Sequence, residues 1–263
     1  MSYEIKYKNF KLPVIYEDNH VISVVKPCGV LSQSDISGDD DMLSIIKEDI
    51  RVRYRKPGNV FLGLIHRLDR NTGGTMIFAK TSKGASRLSE QLRNKNMFKG
   101  YFAVVYGVPK VTRGFLKNKL EKNEKDNSVR ETRSGKECVL YYETVQTNGD
   151  KSLVFAVPIT GRTHQIRVQM SLAGYPLLGD TKYGSPDSIK MSNEIKKRDK
   201  YSLALWSSVL SVKHPTEDRI LKLSSVPDDT GFWNLFDVSD YSDYIHEVLN
   251  KRYDEFVALK NIK

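Results

Sequence analysis

The stretch Val60-Phe61-Leu62-Gly63-Leu64-Ile65 runs straight into His66-Arg67-Leu68-Asp69-Arg70-Asn71-Thr72-Gly73-Gly74, and a second apolar run follows from Thr75 to Ala79. Short apolar runs bounded by turn residues read as buried strands. Asn71 through Gly74 supply the turn chemistry between them. This pattern predicts a strand over 60–65 and places Asp69 where that strand leaves the core. Arg67 and Arg70 surround the carboxylate with positive charge. A fixed carboxylate in such a setting can act as nucleophile, as general base, or as half of a structural ion pair, and the nine residues leave all three open.

Outward from this stretch the chain is β-rich with helices inserted. Pro13 to Tyr16 and His20 to Val25 flank Glu17-Asp18-Asn19 as a tight hairpin, ended by Pro27 and Gly29. Met42 to Tyr54 carries Leu43, Ile46 and Ile50 at helical spacing. Ser82 is the expected cap of a helix reaching Lys95, with Ala85, Leu88 and Leu92 along one face. Lys99 to Val108 reads as a strand, and Gly114 to Val129 as a polar excursion, either an exposed hairpin or a mobile loop. Cys138 to Thr147 and Lys151 to Pro158 read as strands joined at Asn148-Gly149-Asp150. Arg162 to Ala173 is helical in spacing, with Ile166, Met170 and Ala173 on one face and Gly174 as the stop. Ser202 to Val212 and Ile220 to Val226 are expected late strands, and Tyr241 to Leu259 a charged amphipathic helix. Hairpins mixed with isolated helices predict an α+β fold with a mainly antiparallel mixed sheet rather than repeated βαβ units. The division expected is a catalytic domain over 1–230 and a helical tail over 231–263 packed on it.

Composition narrows the partners. The 263 residues hold 42 Lys+Arg against 32 Asp+Glu, a formal charge of +10. That field suits a polyanion. Two cysteines, Cys28 and Cys138, are too few for a disulfide framework and too far apart for a paired metal motif. No CxxC or HxxxH spacing suggests a metal. The run Asp39-Asp40-Asp41 and the bases Arg51, Arg53, Arg55 and Lys56 bracket a helix in the sense its macrodipole favours, which accounts for both clusters without a ligand, although an RNA-binding protein has use for the bases. The N-terminus lacks a signal-peptide core and no apolar stretch reaches membrane-spanning length. The expectation is a soluble, cytoplasmic protein without metal or nucleotide cofactor.

Gly63 to Thr81 as a whole resembles the catalytic-aspartate motif of the RNA pseudouridine synthases, in particular the large-subunit rRNA and tRNA branch called the RluA family. Val14 to Leu31 resembles that family's opening hairpin with its Lys-Pro-small-Gly turn, here Lys26-Pro27-Cys28-Gly29. Lys99-Gly100-Tyr101 resembles its Lys-x-Tyr motif, and Gly161 to Gly184 its third signature. The resemblance implies a mixed sheet with a central catalytic cleft. It implies Asp69 as the catalytic carboxylate, Tyr101 as the ring on which the flipped base stacks, and Arg167 as the arginine paired with the aspartate. Arg67 is implied as the group filling the vacated stack; Lys99 and Arg162 are plausible phosphate contacts. His66 and His164 are read as packing or positioning residues, and Gly74 as flexibility only. The implied substrate is a stem-loop of ribosomal RNA, with tRNA second, acted on by a monomer. The S4-type RNA-binding module of many relatives is not seen before Val14.

Two other classes fit less well. His66-Arg67-Leu68-Asp69 superficially resembles a kinase catalytic loop, but that loop has Asp directly after Arg, and the Gly-rich phosphate loop and Asp-Phe-Gly are missing. A catalytically idle RNA-binding protein on the same fold is the stronger rival, and joint retention of Asp69, Tyr101 and Arg167 argues against it.

Overall fold

The computed structural model describes residues 3–8, 10–196 and 203–259, so the expected strand start at Ser202 lies outside them. The chain divides into two compact units, one of residues 1–98 and 207–225, the other of residues 99–206 and 226–263. Each is built on antiparallel ladders with helices against them, an α+β architecture.

In the first unit β1 (Tyr3–Tyr7), β2 (Phe10–Glu17), β3 (Val21–Lys26) and β5 (Gly73–Ala79) pair in that order, each antiparallel to the next. The β2–β3 hairpin forms at the expected turn, where both Asp18 side-chain bonds through Oδ1 go to the amides of His20 and Val21. β11 (Leu205–Lys213) and β12 (Ile220–Ser224) make a second antiparallel hairpin. All seven residues of β5 are buried. Ile77 and Ala79 join Val21, Leu88, Leu210 and Leu223 in one apolar cluster.

Two helices cover this core. α1 (Met42–Arg53) begins at Asp41, whose carboxylate accepts from the amide of Ser44 at 3.1 Å. Its neighbours Asp40 and Asp39 pair with Lys8 and Arg70, so the triple Asp serves a cap and two ion pairs. α2 (Ser82–Arg93) is capped by Thr81 rather than Ser82, since the Thr81 hydroxyl accepts from the amide of Gly84.

The expected strand over 60–65 is largely overturned. Only β4 (Gly63–Leu64) pairs, with Ala79 and Phe78. Leu62 and Ile65 are buried while Phe61 is 51% exposed, a pattern without the alternation of a strand. Gly63 passes so close to α2 that a Cβ there would lie 2.9 Å from Ala85 Cβ. The run is an irregular segment pressed on a helix, and Asp69 follows it outside any strand.

The second unit orders its strands β6 (Phe98–Tyr106), β10 (Lys151–Pro158), β9 (Lys136–Asn148), β7 (Arg113–Asn123) and β8 (Ser128–Glu131). All four junctions are antiparallel. The polar excursion is therefore a hairpin, β7–β8. α3 (Gln165–Leu172) starts three residues later than its spacing predicts, because His164 sits at φ 52° and breaks the helical path. α4 (Pro186–Lys196) was not anticipated from the sequence.

The tail is two helices rather than one, α5 (Val238–Asn250) and α6 (Tyr253–Ala258). Arg252 stands at the break and forks onto Glu143 of β9 at 2.9 and 2.8 Å. Phe102 and Phe155 meet Tyr241, Tyr244 and Phe256 edge-on or tilted, which fastens the tail by aromatic burial.

Candidate active site

In the first unit the turn that carries Asp69 is held from beneath by the Lys26-Pro27-Cys28-Gly29 loop. Lys26 ends a buried strand and is itself fully buried. A charge in that position demands partners. Its ammonium donates to three backbone carbonyls, those of Pro27 at 3.0 Å, Arg70 at 2.9 Å and Thr72 at 2.9 Å. Burial pushes its pKa down to about 8, against the field of Cys28 and Asp69, which favours the cation. The Gly29 amide adds a bond to the Arg70 carbonyl, and Cys28 Sγ lies 2.9 Å from the Asn71 carbonyl. On the other side Ser32 latches Leu68 twice, accepting from its amide at 3.0 Å and donating to its carbonyl at 2.8 Å. The Thr72 amide closes the turn onto the Asp69 carbonyl at 3.0 Å.

The backbone on both sides of Asp69 is therefore fixed, while its side chain is half-buried. The flanking arginines differ in role. Arg70 turns away, donating to the Gly29 carbonyl and pairing with Asp39 at 2.8 Å. Arg67 is exposed, and among the described residues no group accepts from its guanidinium. His66 is a packing residue, its Nε2 accepting from the Ile77 amide.

Gly74 corrects its sequence reading. It has φ 114°, and a Cβ there would meet the Ser207 carbonyl oxygen at 2.3 Å, so the glycine serves close strand packing rather than flexibility.

In the second unit Tyr101 is 8% exposed on β6, paired in register with Ala156. Strand alternation puts Lys99 and Tyr101 on one face and Phe102 on the other, against the tail. Lys99 Nζ lies 3.6 Å from where a Cβ on Gly161 would stand, and burial lowers its pKa. Arg162 is exposed in the loop before α3. That loop is drawn in by Gln165, whose Oε1 accepts from Thr160 Oγ1 at 2.8 Å and the Arg162 amide at 3.1 Å.

Arg167 is held by an acid from its own unit. Its guanidinium forks onto Asp180 at 2.7 and 2.9 Å, and Asp180 is 1% exposed. Burial works to raise the Asp180 pKa, but the bonds and charge of Arg167 with the amides of Tyr183 and Lys182 leave it lowered. Arg167 also lies over the Tyr183 ring, 5.0 Å from its centre, and Tyr183 meets His164 Nδ1 at 2.7 Å. The Asp180-Thr181-Lys182-Tyr183 segment thus braces the start of α3.

The sequence reading assigned no role to Lys26, Asp180, Gln165 or Gln169. Gln169 Nε2 reaches the carbonyls of Leu116 and Cys138 and the side chain of Asn118, tying α3 to β7 and β9. Their signal was present, as a lysine closing an apolar strand and two glutamines four apart on a helix. Among the described residues one group has metal-ligand spacing, Asp18, His214 and Glu217. Its buried imidazole is already engaged, by Asp18 at Nε2 (2.6 Å) and by the amides of Glu217 and Thr216 at Nδ1. No helix among the described residues is long and apolar enough to cross a membrane.

A family model described as RNA pseudouridylate synthase matches residues 20–172, a span that holds Arg67, Asp69, Lys99, Tyr101, Arg162 and Arg167, with Asp180 beyond it. The chain belongs to the RNA pseudouridylate synthase family. A relative in Escherichia coli O157:H7, ribosomal large subunit pseudouridine synthase C, is 33% identical over 221 residues, covering 82% of this chain and 66% of that protein. Its namesake in Buchnera aphidicola subsp. Baizongia pistaciae is 36% identical over 180 residues, 66% of this chain and 55% of that protein. The chain spans about two thirds or less of the length of these two relatives. The solved structure of human RNA pseudouridylate synthase domain containing 4 shares the fold, with a TM-score of 0.67 at 22% identity over 84% of this chain and 90% of that one. The synthases of this family thus supply the frame in which the Asp69 turn is read.

Proposed function

We propose that the chain is an RNA pseudouridine synthase that isomerises uridines in structured RNA, with large-subunit ribosomal RNA as first substrate and tRNA as second. The observation that carries this reading is the Asp69 turn, a carboxylate on a backbone fixed by Lys26, Gly29 and Ser32 within the matched span. Uridine becomes pseudouridine when the C1′–N1 bond breaks, the uracil turns, and C5 bonds to C1′ as C5 loses its proton to solvent and N1 takes one up. One proton lost and one gained leave an isomer with no net change in electrons, so the reaction needs neither an electron carrier nor an energy source. Asp69 either attacks C1′ or removes the C2′ proton, and both routes use the same carboxylate. A base worked on outside its stack needs a face to rest on. Tyr101 supplies the ring, Arg67 enters the vacated stack, Arg167 serves the same chemistry, and Lys99 and Arg162 contact phosphate. The protein acts as a cytoplasmic monomer.

The test is release of tritium from RNA labelled at uridine C5, in excess EDTA. The wild-type chain should release label and Asp69→Asn should not, while still shifting RNA on a gel. Release by Asp69→Asn at the wild-type rate removes the assignment, and loss of release on chelation overturns the metal-free chemistry.

A further inference from the structure

We propose that Lys99, the Gly161–Arg162 loop and the first turn of α3 form a subsite for one phosphate of a nucleic-acid strand. The identity of that phosphate as RNA rests on the function proposed above; the existence of an anion site does not.

Lys99 is partly buried on β6, yet among the described residues no carboxylate or carbonyl accepts from its ammonium. Buried cations are ordinarily paired, as Lys26 is with its three carbonyls. Burial disfavours the Lys99 cation, and an anion is the partner that would reverse this. Gly161 leaves the approach open, since a side chain there would begin 3.6 Å from Nζ. Arg162 comes next, its backbone amide bound to Gln165 and its exposed guanidinium without an ion pair among the described residues.

The helix start points the same way. α3 has eight residues, its N-cap His164 contributes no side-chain cap, and its first turn holds no acid. The Gln165 amide is taken by the Arg162 carbonyl at 3.2 Å, but no acid in that turn offsets the positive end of the helix dipole. A point charge, a planar fork and a helix N-terminus together suit a phosphate. The Thr160, Arg162 and Val139 bonds of Gln165 hold the loop in this form without a ligand. Lys99 shares its strand face with Tyr101, two residues on, so the phosphate held would be one adjoining the base that rests on the ring.

The experiment compares the melting temperature of the full chain, Lys99→Met and Arg162→Gln in inorganic phosphate and in chloride at equal ionic strength. Phosphate should raise the wild-type melting temperature saturably, raise that of Arg162→Gln less, and leave that of Lys99→Met unmoved. Without phosphate Lys99→Met should melt no lower than wild type, because it removes a cation that its partly buried surroundings disfavour. Equal phosphate shifts in all three proteins overturn the subsite. A second arm measures binding of a stem-loop RNA against salt. One lost phosphate contact should lower the slope of log affinity against log salt by about 0.7 in Lys99→Met, the single-strand value per phosphate. An unchanged slope with a phosphate-specific melting shift would mean a site for free phosphate and overturn the strand assignment. A lowered slope in a chain that releases no tritium would retire the isomerase reading and leave the subsite standing.

Discussion

Replacing Lys26 by Met should loosen the Asp69 turn and carry a pH signature of its own. The ammonium makes three charge-assisted bonds to carbonyls, two of them, Arg70 and Thr72, within the turn. Bonds of that kind contribute about 1.5–3 kcal/mol each. Against them stands burial, which moves the pKa from 10.5 to about 8. At about 1.4 kcal/mol for each of the 2.5 pH units between 10.5 and about 8, keeping the cation costs about 3.5 kcal/mol at neutral pH. The difference leaves Lys26→Met about 1–5.5 kcal/mol less stable at pH 7. The sign of the pH effect follows from linkage. Between pH 8 and 10.5 the unfolded chain holds the Lys26 proton and the folded chain releases it, so wild-type stability rises with pH across that window. Met has nothing to titrate, and its deficit should therefore grow by about 2 kcal/mol from pH 7 to pH 9.5. Urea unfolding of both proteins at the two pH values measures this directly. Tritium release should fall at least about tenfold, as expected when a reacting group is misplaced by a fraction of an ångström to an ångström, and RNA affinity should change little. Equal stability at pH 7, or a deficit that shrinks at higher pH, would refute the account of Lys26 as the staple of the turn.

Gly74→Ala should lose at least about 2 kcal/mol, since a Cβ would strike the Ser207 backbone and φ 114° strains any side chain; thermal unfolding checks it, and a wild-type melting temperature would contradict the close packing. Arg167→Met should lose about 3–5 kcal/mol by stranding the buried Asp180 carboxylate. Combining it with Asp180→Asn should destabilise less than the two single losses summed, and strict additivity would show that the pair does not couple. Tyr101→Phe should retain most RNA affinity while Tyr101→Ala loses about 1–3 kcal/mol of stacking, measured by titration with a stem-loop RNA; a far greater loss of tritium release in the Phe variant would assign the hydroxyl to proton transfer.

Much of this molecule is legible without coordinates, for reasons that are local. The β2–β3 and β9–β10 hairpins announce themselves because Glu17-Asp18-Asn19 and Asn148-Gly149-Asp150 carry turn chemistry within three residues. α1 and α2 show because a helix that buries one stripe must repeat its apolar residues every three to four positions. The family signatures are strings of adjacent residues, and so Asp69, Tyr101 and Arg167 could be singled out from the string alone, before any contact was known.

What depended on residues distant in sequence did not show. The run 60–65 has the composition of a strand, but β5 accepts only Gly63 and Leu64 as partners and α2 presses on Gly63, contacts that no local window contains. A single period over 241–259 hides the break at Arg252, where Glu143, more than a hundred residues earlier, binds its guanidinium. Lys26 looks like the end of a strand until three carbonyls, two of them over forty residues on, surround it, and Arg167 finds Asp180 across a turn. Composition and pattern determined which residues are polar, which are apolar and in what order they alternate. Only the tertiary structure decided which buried charge meets which partner, because a buried ion is stabilised by atoms brought close in space, and the distance along the chain that separates them is invisible to a periodic pattern.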